Sequence, residues 1–129
     1  MECQITIKWT DTARESLKIL PKKVRKGILD KADELLGCGD PRRVYKPLKG
    51  PLEGLYRIVY SRYRAIFRVE EERLATGGLL LHLTVVFVAT GIRKEFDKKD
   101  VYNVAKKLVE RGLAGEVDEV EARSKTQEQ

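Results

Sequence analysis

A chain of 129 residues and 14.8 kDa is long enough for one domain that buries its own core and leaves no comfortable room for two. With 42% hydrophobic and 36% charged residues it is too apolar for a disordered chain and too charged for a membrane protein; its longest apolar stretch, 79–89, is broken by His82 and Thr84 and falls short of the ~20 residues a spanning helix needs. The 26 Lys and Arg against 20 Asp and Glu, a net of +6, describe a basic protein, and Met1-Glu2-Cys3-Gln4 lacks the basic-then-apolar character of a signal peptide, so the expected location is cytoplasmic.

Gln4 to Trp9 alternates polar and apolar, which predicts a strand with Ile5, Ile7 and Trp9 on one face. Thr12-Ala13-Arg14-Glu15 has capping-box spacing and opens a short helix through Leu17 and Leu20. Pro21 ends it and suits the first turn of a second helix, whose apolar stripe is Val24, Ile28, Ala32, Leu35 and Leu36 and whose end is marked by Gly37 and Gly39. Each helix has a single stripe to bury, so the pair must lie across a sheet. From Val44 the period changes to two, predicting strands at 44–49, 54–60, 63–71 and 79–90, with Gly50-Pro51 and Ser61-Arg62 as turns and Thr76-Gly77-Gly78 as a loop. The 79–89 run is apolar on both faces in places, as a central strand is. Asp100 caps a last helix with Val101, Val104, Ala105 and Leu108 on its buried stripe, ending at Gly112. The order β-α-α-β-β-β-β-α predicts an α+β domain over 1–112 on a mostly antiparallel four- to five-stranded sheet. Residues 113–129 read as a flexible acidic C-terminal tail. Trp9, Tyr56 and Tyr63 read as packing residues and His82 as a satisfied strand residue.

The charge is unevenly spread. After Leu113 the tail holds five acids (Glu116, Asp118, Glu119, Glu121, Glu128) against Arg123 and Lys125, which leaves 24 basic and 15 acidic residues in 1–112, a net of +9. Within 42–68, Arg42, Arg43, Lys46, Lys49, Arg57, Arg62, Arg64 and Arg68 face one acid, Glu53. A field of that sign attracts polyanions, of which nucleic acid is the commonest in a cytosol. Cys3, Cys38 and His82 are too few and wrongly spaced for zinc, so no metal or other cofactor is expected.

Leu48-Lys49-Gly50, Gly54-Leu55-Tyr56-Arg57-Ile58, Tyr63-Arg64-Ala65-Ile66-Phe67 and Gly91-Ile92-Arg93 fall in this order on the predicted strands. Together with the αα-hairpin before them and the closing helix with Tyr102, they resemble the RelE/ParE superfamily of type II toxins over roughly residues 5–110. The resemblance implies a toxin of a toxin–antitoxin system that cuts mRNA in the ribosomal decoding site or, in the ParE branch, inhibits DNA gyrase. A degenerate domain that keeps only the fold and a binding surface is a third reading. By position, Arg57 stands where RelE-like proteins carry a strand lysine and Arg64 matches the arginine of their Tyr-Arg element. Arg93 matches the basic residue after the last strand, and Tyr102 the aromatic that opens the last helix. The sequence departs from the pattern at Val59, where a second strand lysine is expected, and in a longer insertion between Arg93 and Tyr102. It departs again at Lys46, which replaces the glutamate that precedes Pro-Leu in YoeB-like members. The implied partners are the ribosome, mRNA and an acidic antitoxin, commonly one with a DNA-binding domain.

RNA cleavage without a metal requires the ribose 2′-OH to lose a proton and attack its own phosphate in line, with the phosphorane charge stabilised and the leaving oxygen protonated. Arg57 and Arg64 on neighbouring strands are candidates to clamp the phosphate with forked donors, Arg93 to stabilise charge, and Tyr102 to stack on a base or orient the 2′-OH. Lys46 and Lys49 qualify as a general base only if burial among cations weakens their hold on the proton. Lys46, Lys49, Arg62, Lys98 and Lys99 are candidate RNA-binding residues.

Overall fold

The computed structural model of the chain describes residues 2–75, 79–94, 100–110 and 122–128. Its elements are β1 (Glu2–Trp9), α1 (Asp11–Lys18), α2 (Lys22–Glu34), α3 (Pro41–Val44), β2 (Leu55–Tyr60), β3 (Tyr63–Ala75), β4 (Leu79–Ile92), α4 (Val101–Glu110) and β5 (Ala122–Glu128). Single 3₁₀ turns occupy Leu35–Gly37 and Gly50–Leu52. The strands form one mixed sheet in the order β2-β3-β4-β1-β5, with β1 parallel to β4 and the other neighbours antiparallel. The α+β architecture predicted from the periodicities is therefore present, with β4 central. Strands pair with it on both sides, and its residues 83 and 85–90 are buried whichever face they meet. No helix among the described residues is long and apolar enough to cross a membrane.

Each face of the sheet carries its own core. On one, α1 and α2 lay Ala13, Leu17, Ile28 and Ala32 against Ile5, Ile7, Trp9, Ile58, Phe67, Val85 and Phe87. Trp9 stacks on Phe87 at 4.2 Å between ring centroids, so the alternation read in β1 does deliver its apolar side to the helices. Tyr56 stacks on Phe67 at 5.7 Å, as expected of a packing residue, and His82 Nε2 meets Thr6 Oγ1 at 2.9 Å, as expected of a strand residue with its polar atoms satisfied. On the other face, α4 lays Val101, Ala105 and Leu108 on Leu55, Ile66, Val86, Val88 and Ala89. Two consecutive β4 residues reach this second core because the strand carries a bulge: Ile66 pairs with Ala89 but Phe67 with Phe87, so Val88 is the extra residue. Beyond the bulge Thr90 turns to α1, its hydroxyl donating to the Ala13 carbonyl at 3.3 Å. Gly91 lies under Val101.

Four expectations give way to tertiary structure. The first helix starts at Asp11, not Thr12. Thr10 is its cap, accepting from Ala13 N at 3.1 Å, because the Thr10 N–H is already held by the Phe87 carbonyl at the end of β1. The expected strand at 44–49 is absent. Asp40 accepts from Arg42 N at 2.9 Å and Pro41 presets the backbone, so Pro41–Val44 makes one helical turn, and the strand-like pairing of this segment with the sheet among the described residues is the isolated Pro47–Tyr56 bridge. Both β3 and β4 run longer than their alternation suggested, to Ala75 and Ile92. Within the segment read as a tail, Ala122–Glu128 is paired antiparallel along β1, whose free edge supplies hydrogen-bonding groups that no local pattern advertises. The expected loop at Thr76–Gly78 and the expected helix end at Gly112 lie outside the described residues.

Candidate functional site

The site grows from strand alternation. Leu55 and Ile66 point into the α4-side core, which puts Arg57 and Val59 of β2 and Arg64 and Arg68 of β3 on that same face. Arg57 pairs with Ile66 and Val59 with Arg64, so Arg57 and Arg64 are diagonal neighbours. Tyr102, in the first turn of α4, brings its hydroxyl to Arg57, whose Nη1 donates to it at 2.7 Å. Arg93, just past β4, places its guanidinium carbon 4.4 Å from the centroid of the Tyr102 ring, a cation–π contact. Its backbone N–H donates to the Arg62 carbonyl at 2.7 Å, which ties the end of β4 to the β2–β3 turn. Arg57, Tyr102 and Arg93 thus form one continuous cationic cluster around a phenol.

Arg64 shares the face but is committed differently. Its Nη1 donates to the Ser61 and Tyr63 carbonyls at 3.0 and 2.9 Å, folding it onto the two-residue turn where Ser61 takes a positive φ of 54°. The Nε groups of Arg57 and Arg64 are buried without a hydrogen-bond partner among the described residues.

Beneath Arg93 and Tyr102 lies a carboxylate read from the sequence only as a helix cap. Asp100 is 2% exposed. Its Oδ2 takes Arg93 Nη1 at 2.8 Å and Tyr102 N at 3.1 Å, and its Oδ1 accepts from Lys94 N. Burial alone pushes this carboxyl up. The Arg93 guanidinium and the Lys94 and Tyr102 N–H groups outweigh it and hold the group below the usual carboxylate range. No spacing rule marks this pairing; the one available signal was an acid standing among basic residues between two site candidates.

Of the candidate RNA-binding residues, Lys46 shares a cleft of about 280 Å³ with Arg57, Lys31, Glu34 and Val59, at the edge of β2. Lys46, Lys49 and Arg62 are exposed. That removes the burial on which a general-base role for Lys46 or Lys49 depended. Val59 is 42% exposed, an apolar residue open on the strand face beside Arg64. Lys98 and Lys99 lie outside the described residues. No group of three or more metal-ligating side chains occurs among the described residues.

A family model described as the ParE toxin of the type II toxin–antitoxin system parDE matches residues 7–80, more than half of the chain. The chain belongs to the RelE/ParE superfamily of type II toxins. Toxin RelG of Mycobacterium tuberculosis (strain ATCC 25618 / H37Rv) is 29% identical over 94 residues, which span 97% of that protein and 73% of this one. The crystal structure of the RelBE2 toxin–antitoxin complex from Mycobacterium tuberculosis contains a chain that is 30% identical, with a TM-score of 0.53, covering 95% of that chain and 67% of this toxin. The family match takes in Lys46, Lys49, Arg57, Arg62 and Arg64 but stops before Arg93, Asp100 and Tyr102. The second half of the cluster therefore rests on geometry.

Proposed function

We propose that this toxin is a ribosome-dependent endoribonuclease that cuts translated mRNA without a metal: a ribose 2′-OH attacks the adjacent phosphate, the bond to the 5′-oxygen breaks, and the proton lost by the 2′-OH and the one gained by the 5′-oxygen are exchanged with solvent. The observation that carries the reading is the Arg57–Tyr102–Arg93 cluster: one guanidinium on the hydroxyl and one over the ring of a single phenol, beside a strand face that carries Arg64. In this mechanism Arg57 and Arg64, on one sheet face, offer their guanidinium groups to the scissile phosphate and stabilise the phosphorane. Tyr102 orients the 2′-OH or stacks on a base, while Arg93 adds positive charge. An arginine is a poor proton donor at neutral pH, so its contribution is electrostatic.

The described cluster lacks an efficient base. Asp100 is buried, bound to Arg93 and held in its ionised form, and both candidate lysines are in solvent. Such a site is slow by itself and depends on another surface to set the RNA in line, which is the physical argument for the ribosome. An acidic antitoxin covering the basic face is proposed as the storage partner. The RelBE2 assembly supports this, as does the net +9 of residues 1–112.

The ParE-like alternative, a gyrase inhibitor that acts by binding, is favoured by two observations. The matching family model is that of ParE, and the strand position where a second lysine is expected holds an exposed valine. Induced expression followed by mapping of mRNA 5′-ends separates the readings. Ribosome-dependent cuts that vanish in Arg57→Ala and Arg64→Ala support the nuclease. Toxicity with intact mRNA and broken chromosomal DNA supports the gyrase reading, and absence of toxicity a degenerate binding fold. Efficient cleavage of free RNA by the purified protein contradicts the ribosome-dependent mechanism.

A further inference from the structure

Arg93 and Tyr102 stand at opposite ends of the connection between β4 and α4. Bringing the ends of such a connection together loses chain entropy, and a flexible arginine loses more when it is held over a ring. One side chain meets both ends. Asp100 accepts from the Lys94 N–H on one oxygen, and from Arg93 Nη1 and the Tyr102 N–H on the other. The same carboxylate thus fixes the guanidinium, the strand exit beside it and the first turn of the helix that carries the phenol. It is buried in a domain of net positive charge, where an acid gains from several donors at once.

Resting on the ribonuclease reading, we propose that Asp100 is the positioning residue of this site: it clasps the β4–α4 connection so that Arg93 sits over Tyr102, in register with Arg57. The chemistry of the three contacts explains the choice of residue. All three partners are N–H donors, and a carboxylate offers two acceptor oxygens. Asparagine offers one acceptor and an amide N–H, which faces a donor whichever way it is turned. Glutamate carries an extra methylene and cannot keep both the cap and the Arg93 contact from the same backbone position.

The test compares Asp100→Asn with Thr10→Ala, which removes a helix cap on α1, away from the cluster. Cleavage of ribosome-bound mRNA is expected to fall roughly ten- to hundred-fold in kcat in Asp100→Asn, with KM little changed, because a displaced group loses alignment while the surface charges that dock the protein remain. Thr10→Ala is expected to lose stability and keep kcat at temperatures where it is folded. A second readout needs no activity: the ring current of Tyr102 shifts the Arg93 side-chain proton resonances upfield in the wild type, and the shift disappears in Asp100→Asn. Persistence of that shift in Asp100→Asn overturns the positioning role, as does an unchanged kcat in a variant that is folded. If the wild type shows no ribosomal cleavage the nuclease reading fails, and the resonance shift still decides whether Asp100 holds Arg93.

Discussion

Gly27 offers a stability test whose sign is set by two opposing effects. It lies in α2 where the ring of Tyr60 crosses the helix, and a Cβ built there stands 2.4 Å from Cε2 and Cζ and 2.9 Å from Cε1 of that ring. Carbon atoms pack comfortably at ~3.5–4.0 Å, so the ring must retreat by roughly 1 Å. Alanine in a helix interior is favoured over glycine by about 1 kcal/mol, whereas overpacking costs about 1–3 kcal/mol. Tyr60 ends the edge strand β2 and packs against the core under α2, so its retreat loosens the seat of that helix and with it the cleft between α2 and Lys46. The expected net effect of Gly27→Ala is a loss of about 1 kcal/mol, roughly 3–5 °C in Tm. Urea denaturation of wild type, Gly27→Ala, Tyr60→Ala and the double variant closes the cycle. Once the ring is gone the helix preference acts alone, so Gly27→Ala is expected to stabilise the Tyr60→Ala protein by about 1 kcal/mol, a coupling of about 2 kcal/mol. A Gly27→Ala protein more stable than wild type, or a cycle without coupling, refutes the close-approach reasoning.

Three further outcomes follow from the same geometry. Tyr102→Phe removes the hydroxyl that accepts from Arg57 at 2.7 Å and keeps the ring under Arg93; single-turnover cleavage on ribosomes is expected to drop about tenfold, with less effect on stability than Tyr102→Ala. Asp40 and Asp100 both have carboxyls held below the usual range, the first by Arg42 hydrogen bonds against an opposing burial effect. Their stabilisation is complete above the unfolded carboxylate value of about 4 and is lost as pH falls through the lower folded-state values. The urea midpoint of wild type should therefore drop more steeply between pH 6 and pH 3 than that of Asp100→Asn, and equal slopes would contradict the assignment. Phe87→Ala removes the ring stacked on Trp9 and packed on Phe67, and is expected to cost about 3–5 kcal/mol and to abolish the near-ultraviolet dichroism of Trp9.

Of the eight basic residues in 42–68, Arg57, Arg64 and Arg68 lie on one sheet face. The shared face of Arg57 and Arg64 was legible because Tyr56-Arg57 and Tyr63-Arg64 sit on strands of clear alternation, and alternation alone puts a residue on a face; their candidacy as site residues came from the family resemblance. Their different engagement was not legible. Arg57 reaches across to Tyr102, 45 positions away, while Arg64 folds onto the carbonyls of its own turn. Asp100 was visible as a cap for the same local reason that Thr10 was missed as one: a cap is recognisable where its helix begins, but where a helix begins depends on where the preceding strand is tied off.

The sequence by itself determined the periodicities, and through them the α+β class, the two helix stripes and the central character of the 79–89 run, and by composition the basic segment 42–68. These are properties of neighbouring residues, and side-chain burial enforces them locally wherever the chain folds. Only the tertiary structure decided which strands pair and what each guanidinium touches. It made one helical turn of Pro41–Val44, set β1 parallel to β4 and laid Ala122–Glu128 along the edge of β1. It also closed Arg93 onto Asp100 and Tyr102. The reason is physical: a side chain's face is set by its own backbone, whereas its partner is set by whichever distant segment satisfies its buried polar groups.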